Sequence, residues 1–212
     1  MSIIFFYGSG SPFAWKVWLA LEHKELPYEK KVLSFQADDM KTPEYLAVNP
    51  RAKVPALVDG GLKLFESSAI VEYLDDRYPR RPVIGRDPME RAIGRRIAAE
   101  VDVYLFPASR RLFAQTLFIA PGTGDPKEIA AAQHELHKEL ARFETYATGN
   151  YLVGDAPTVA DYTLYPMLAL IRRVEVKHPG QGVTLPPKLD TFGKKIEALP
   201  HFARTIPPHW RS

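Results

Sequence analysis

The sequence predicts an α/β domain followed by an all-α helical bundle, and three observations carry that prediction. Segments of strand length occur at Ile3 to Tyr7, Tyr28 to Leu33, Val54 to Val58 and Leu62 to Phe65, all ahead of residue 66. A proline- and charge-rich stretch, Tyr78-Pro79-Arg80-Arg81-Pro82 followed by Gly85 and Asp87-Pro88, then interrupts the periodic segments. Beyond it only helical spacing remains, first at Ile93, Ile97, Val101, Tyr104 and Leu105, then at Ile129, Leu136, Leu140, Phe143 and Tyr146. The expected division is a domain over residues 1–78, a linker over 79–88 and a helical domain over 89–212. With 46% hydrophobic and 25% charged residues in 212, there is apolar material enough for two modest cores.

Taken in order, Ile3 to Tyr7 is rich in β-formers and unbroken, as expected of a strand covered on both faces. Gly8-Ser9-Gly10-Ser11-Pro12 ends it. Phe13, Val17, Ala20 and Leu21 then recur at helical spacing, so Ser11 is the expected N-cap and Pro12 sits where its missing N–H costs nothing. Tyr28 to Leu33, after Pro27, gives a second strand and a right-handed crossover with parallel strands. Thr42 to Val48 reads as a short helix. In Val54 to Val58 the second residue is Pro55, which lacks a ladder donor and belongs at a strand start, and an X-Pro bond in a tight turn is where a cis peptide is most often found. Asp59-Gly60-Gly61 supplies a hairpin turn into Leu62 to Phe65. Glu66-Ser67-Ser68 precedes Ala69, Ile70, Tyr73 and Leu74, so a serine hydroxyl is expected at the helix start, with outward N–H groups that would favour an anion. The order β-α-β-α-β-β-α is that of a thioredoxin-like domain.

In the helical half, Pro107 should kink the first long helix, and Ala120 to Pro126 should form a loop. Thr158 and Asp161 stand in capping-box spacing ahead of Tyr162, Tyr165, Leu168 and Ala169. Two short helices are expected from Pro186 to the end, which carries His209-Trp210.

Composition excludes several function classes. The chain has no cysteine, which removes disulfides, thiolate metal sites and a cysteine nucleophile. Its formal charge of +3 is spread among 25 carboxylates, and the Arg86, Arg91, Arg95, Arg96 cluster reads as a solvated helix face, so nucleic acid is not an expected partner. The six histidines form no metal pattern, with His134 and His137 read as surface residues. No apolar run approaches the roughly 18 residues of a membrane helix, and the start lacks a secretory pattern, so a cytoplasmic protein is expected.

The run NPRAKVPALVDGGLKLFESSAIVEYL, from Asn49 to Leu74, resembles the glutathione-binding half of the cytosolic glutathione transferases. A second run, YLVGDAPTVADYTLYPML from Tyr151, resembles the segment that starts the buried central helix of that family's second domain. The resemblance implies glutathione as co-substrate, no metal, a homodimer and a role in detoxification. It implies that Val54, ahead of a cis Pro55, meets the cysteinyl backbone of glutathione. Glu66 and Ser67 would hold the γ-glutamyl carboxylate, and Lys53 and Lys41 would lie near the tripeptide backbone and its glycine carboxylate. An electrophile pocket would draw on Phe13, Tyr104, Ala108, Arg111 and Trp210.

A thiol must be held as thiolate to act as nucleophile, and three hydroxyls near the first turn could donate to it: Tyr7, Ser9 and Ser11. Ser11 is favoured, because in serine-type members the catalytic serine opens the first helix five residues ahead of a basic residue, and Lys16 follows here at that interval. Two functions fit. One is a serine-type, bacterial-like transferase that conjugates glutathione to a small hydrophobic electrophile, or dehalogenates or reduces peroxide with it. The other is a non-catalytic glutathione- or protein-binding module of the same fold.

Overall fold

In the computed structural model, which describes residues 3–210, the first strand is β1 (Ile3–Tyr7). Ile3, Phe5 and Tyr7 are buried while Ile4 and Phe6 are half-buried, so the strand alternates where its apolar run suggested equal cover on both faces. Phe6 shows why: its ring lies 5.5 Å from that of Tyr45 and under the Lys31 ammonium at 5.8 Å, which is a rim contact. Helix α1 (Pro12–His23) follows, with Ala14 through Leu21 all buried. Strand β2 (Tyr28–Val32) returns parallel to β1, with Ile3 opposite Tyr28. It is an edge strand, and its exposed charges suit an unpaired edge.

Helix α2 (Pro43–Leu46) is capped by Thr42, whose hydroxyl accepts from the Tyr45 N–H. Strand β3 (Ala56–Asp59) runs antiparallel to β1, and β4 (Leu62–Phe65) antiparallel to β3, with Gly60 at φ +59° in the two-residue turn. The sheet order is β2-β1-β3-β4, and helix α3 (Ser67–Arg77) completes the expected β-α-β-α-β-β-α order. Asp59 anchors the hairpin to α3 by accepting from Tyr73 and Tyr78 at 2.8 and 2.6 Å, and these bonds hold its carboxyl below the usual range.

A buried ion pair that no sequence pattern announced joins α1 to α3. Lys24 Nζ donates to Asp75 Oδ1 at 3.1 Å and to the carbonyls of Arg80 and Arg81, and Asp75 also accepts from the Val83 N–H. Such a pair is satisfied on both sides, so removing one partner strands the other charge.

By contact, residues 3–86 and 199–210 form one unit and residues 87–198 another. The sequence expectation assigned everything from 89 onward to the helical domain, whereas the last residues pack with the first unit. The reason is Trp15, which donates to Thr205 Oγ1 at 2.9 Å and stacks near Phe202 and Trp210 at 6.1 and 5.3 Å. These last residues carry two 3₁₀ turns, Phe202–Thr205 and Pro208–Trp210, where two short helices were expected from Pro186 on; only α8 (Pro187–Glu197) is an α-helix.

The second unit is helical. Asp87 caps α4 (Pro88–Glu100), and a π-helical turn, Val101–Leu105, joins it to α5 (Phe106–Gln115). Pro107 lies within continuous helical backbone and cannot donate to the turn before it, and the π-helical turn sits directly ahead of it, where the expected irregularity belongs. Asp125 caps α6 (Pro126–Glu144). Helix α7 (Val159–Lys177) is buried along most of its length, even through Pro166. Its start is fixed by Asp161, fully buried, which accepts from the Thr158 N–H, the Thr158 hydroxyl and the Leu152 N–H at 2.7 to 2.9 Å. Burial nevertheless pushes the Asp161 carboxyl up to about 6. No helix among the described residues is long and apolar enough to cross a membrane.

Candidate functional site

The site is built at the end of β1 and the starts of α1 and α3, all within the first unit. Tyr7 closes the ladder by accepting from the Leu33 N–H, and the chain then turns, with the Ser11 N–H donating to the Gly8 carbonyl at 3.1 Å. Gly8 is buried, and a Cβ there would stand 3.1 Å from Val54 Cγ2 and 2.4 Å from the tip of the exposed Phe35 ring, so the turn runs close to Val54 and a larger residue would have to displace that ring. Ser11 is the N-cap of α1 in extended geometry, as expected, and its Oγ accepts from the Ala14 N–H at a long 3.3 Å. That bond uses a lone pair and leaves the hydroxyl proton to be donated.

Val54 lies just ahead of the ladder, which starts at Ala56, and the Val54–Pro55 peptide is cis. Its position is set from behind. The Lys53 carbonyl accepts from the Tyr45 hydroxyl and from Asn49 Nδ2 at 2.5 and 2.6 Å, while Asn49 Oδ1 accepts from the Arg51 N–H. Burial pushes the Tyr45 phenol up to about 12, so it stays a donor. Asn49, itself buried, therefore folds the loop that presents Val54.

The start of α3 differs from expectation. The N-cap residue is Glu66, at φ +70° and ψ 110°, and its side chain makes no cap bond. No serine hydroxyl occupies the N-cap, because β4 ends at Phe65 and the chain must reverse into the helix at Glu66 alone. A non-glycine residue at positive φ costs about 1 kcal/mol or more. Glu66 is exposed, and Ser67, the first helical residue, is 6% exposed. The adjacent Ser68 Oγ accepts from Lys16 Nζ at 3.2 Å, and Lys16 is 1% exposed with its ammonium 5.9 Å from the Phe13 ring. A cation from α1 is thus buried against the amino end of α3. The interval from Ser11 marked Lys16 in the sequence, but its partner follows only from the packing of α1 on α3.

Of the other two hydroxyls near the first turn, Tyr7 is a core side chain, its ring 5.6 Å from Phe5 and 4.9 Å from Trp18. Ser9 Oγ is 2.7 Å from His209 Nδ1, a pairing nothing in the sequence foretold across so long a separation. Lys53 is exposed, and Lys41 is exposed and ion-paired with Asp38 at 2.9 Å. Phe13 and Trp210 belong to the first unit, Tyr104, Ala108 and Arg111 to the second. Within the second unit Tyr104 is exposed, Ala108 is buried, and the Arg111 guanidinium braces α5 to α6 through Glu128 and Glu135 at 3.1 and 3.0 Å. His137 Nδ1 lies 2.8 Å from the Gln133 carbonyl on the surface of α6.

Comparison with known proteins agrees with this architecture. Residues 10–77 match the family described as glutathione S-transferase, N-terminal domain, and residues 106–200 match its C-terminal domain. Relatives include a maleylacetoacetate isomerase of Pseudomonas aeruginosa, 34% identical over 83% of this chain and 84% of the relative. A probable maleylacetoacetate isomerase 2 of Drosophila melanogaster is 32% identical over 92% and 83%. Among solved structures, a theta class glutathione S-transferase of Xanthomonas axonopodis pv. citri with glutathione bound is similar with TM-score 0.84 and 26% identity over 97% of both chains. With both halves matched, and relatives above 30% identity along most of its length, the chain belongs to the glutathione S-transferase family.

Proposed function

We propose that this protein is a glutathione-dependent transferase of serine type, in which Ser11 donates to the sulfur of bound glutathione. The observation that carries the reading is the closeness of Gly8 to Val54, where a Cβ on Gly8 would stand 3.1 Å from Val54 Cγ2, which brings the turn leading to Ser11 near the residue expected to meet the cysteinyl part of glutathione. Val54, outside the ladder, offers main-chain groups to the tripeptide; Glu66 and Ser67 take its γ-glutamyl end; Lys53 and Lys41 lie toward its backbone and glycine carboxylate. The amino end of α3 adds positive potential that favours anionic groups there. Ser11 stabilises the thiolate because a hydroxyl bonds a charged sulfur more strongly than a neutral one. The thiolate then attacks an electrophilic carbon, forming the C–S bond while a leaving group departs with its electron pair, or while a conjugated double bond accepts the pair and is protonated.

The relatives named as maleylacetoacetate isomerases favour a second outcome at the same site. The thiolate adds to a conjugated cis double bond, the new single bond rotates, and expulsion of the thiolate restores the double bond as trans. Glutathione is consumed in conjugation and returned in isomerisation, so following free thiol during turnover separates the two. The family further leads us to expect a cytoplasmic homodimer acting on a small hydrophobic electrophile.

Ser11→Ala tests the assignment. It should raise the pKa of bound glutathione by about one unit or more and lower the rate near neutral pH about tenfold, with little change in glutathione affinity. If Ser11→Ala keeps the ultraviolet thiolate absorbance and Tyr7→Phe loses it, the serine assignment is overturned. If the unaltered protein binds no glutathione by calorimetry, the non-catalytic protein-binding module takes its place.

A further inference from the structure

The end of the chain is built onto the turn that carries Ser9 and Ser11. Trp15, 4% exposed, donates to Thr205, which is fully buried and in turn donates to the Phe202 carbonyl, so the tail is fixed to α1 by a satisfied interior bond. The Trp210 ring packs edge-on against Trp15. From there His209 reaches back over the turn. Gly10 stands at φ +86°, and a Cβ on it would lie 3.0 Å from His209 Cε1, so the turn has both the backbone conformation and the room that this ring needs.

The hydrogen bonds of His209 determine which nitrogen bears its proton. An indole N–H can only donate, and Trp210 Nε1 lies 2.9 Å from His209 Nε2, so Nε2 is the acceptor. In the neutral ring Nδ1 then carries the proton and donates to Ser9 Oγ at 2.7 Å. The Ser9 oxygen is held by accepting that bond, and its own hydroxyl proton is turned away from the ring. Ser9 lies one residue from Gly8, which runs close to Val54, and two from Ser11.

We propose that His209 is a positioning residue that holds Ser9 as a second hydroxyl donor to the glutathione thiolate, through the chain Trp210 to His209 to Ser9. This rests on the glutathione-dependent reading above. No proton is transferred in the step: the thiol proton leaves to solvent on binding, and Ser9 and Ser11 each donate a hydrogen bond to the sulfur that remains. The tail thereby becomes part of the thiolate site while touching no substrate itself.

The test is a double-mutant cycle on the full chain, with glutathione and a chloronitrobenzene electrophile. Ser9→Ala and His209→Ala should each lower kcat near neutral pH by about threefold to tenfold and move the thiolate titration alkaline, with KM for glutathione nearly unchanged. Because they break one chain, the double variant should be no worse than either single one. His209→Asn, which keeps a donor near the Nδ1 position, should recover most of the loss, and Trp210→Phe, which removes the donor to Nε2, should cost part of it. Additive losses, or a His209→Ala variant with an unmoved thiolate titration, would overturn the proposal. Glutathione calorimetry on the unaltered protein separates the two readings: binding with additive losses defeats this inference alone, and no binding defeats both. Thermal unfolding of each variant identifies loss of the tail, and if His209→Ala lowers the midpoint while His209→Asn restores the midpoint without the titration, the role is structural and the proposal fails.

Discussion

The helices α7 and α3 begin in opposite ways. At the start of α7, Asp161 is fully buried and accepts from two backbone N–H groups and a hydroxyl, so the cap is closed upon itself. At the start of α3, Glu66 makes no cap bond, holds a positive φ and leaves its carboxylate in solvent beside a nearly buried serine. The first arrangement uses its polar groups for folding. The second leaves the Glu66 side chain out of the cap and carries backbone strain, which a cap that served folding alone would not need. Ser11 at the start of α1 lies between them, with a cap bond that is long and a proton still to give.

The sharpest way to break the contrast is Asp161→Ala. It strands the Leu152 and Thr158 N–H groups in the interior, and unfolding by urea should show a loss of about 2 to 4 kcal/mol with glutathione affinity unchanged in the folded fraction. A loss below about 1 kcal/mol would mean that the α7 cap contributes no more than an ordinary one.

The same residue should be visible in the pH dependence of stability, opposed by a group in the other unit. Burial raises the Asp161 carboxyl from 3.8 to about 6, so the stability it contributes is full below about pH 4 and is lost as the pH rises through about 6. Burial, with the neighbouring His201, lowers the His23 imidazole from 6.5 to about 4, so its contribution is full above about pH 6.5 and is lost as the pH falls through about 4. Each shift corresponds to about 3 kcal/mol at most, with opposite sign across one window. His201 is lowered too, chiefly by burial, and acts on the side of His23. Between pH 4 and 6.5 the unaltered protein should show a shallow profile. Asp161→Asn should make stability rise with pH, and His23→Gln should make it fall. Urea midpoints measured across that range decide it, and unaltered slopes in both variants would refute the opposition.

At α3 the expectation is reversed. Glu66→Ala with Ser67→Ala should weaken glutathione binding by about 1.5 to 3 kcal/mol, tenfold to a hundredfold, with little change in unfolding midpoint. Equal affinity by calorimetry would remove these residues from the site. The smallest effect sharpens the contrast most: Glu66→Gly should relieve the positive φ and stabilise the fold by about 0.5 to 1 kcal/mol while weakening glutathione binding. A cap residue chosen for stability would show the opposite sign.

Local chemistry makes much of this molecule legible in its sequence. Proline and glycine punctuation locates the strands and the hairpin, because each acts on its own φ and its own N–H, and the N-caps at Ser11 and Thr158 depend on residues within one helical turn. The run from Asn49 to Ser67 is recognisable because its contacts span only a few residues, as in the Asn49 to Lys53 bond. Tertiary packing decided the rest. Whether Glu66 or a serine capped α3 depended on how abruptly β4 ends. The partners of Lys24 and Lys16 lie about fifty residues away, and those of Trp15 and Ser9 about two hundred, at distances along the chain over which no residue pattern constrains another. The sequence by itself determined which residues could bond or turn locally; which hydroxyl is held by a histidine, and which cation is buried against a helix start, is fixed only when close packing brings remote side chains within hydrogen-bonding reach.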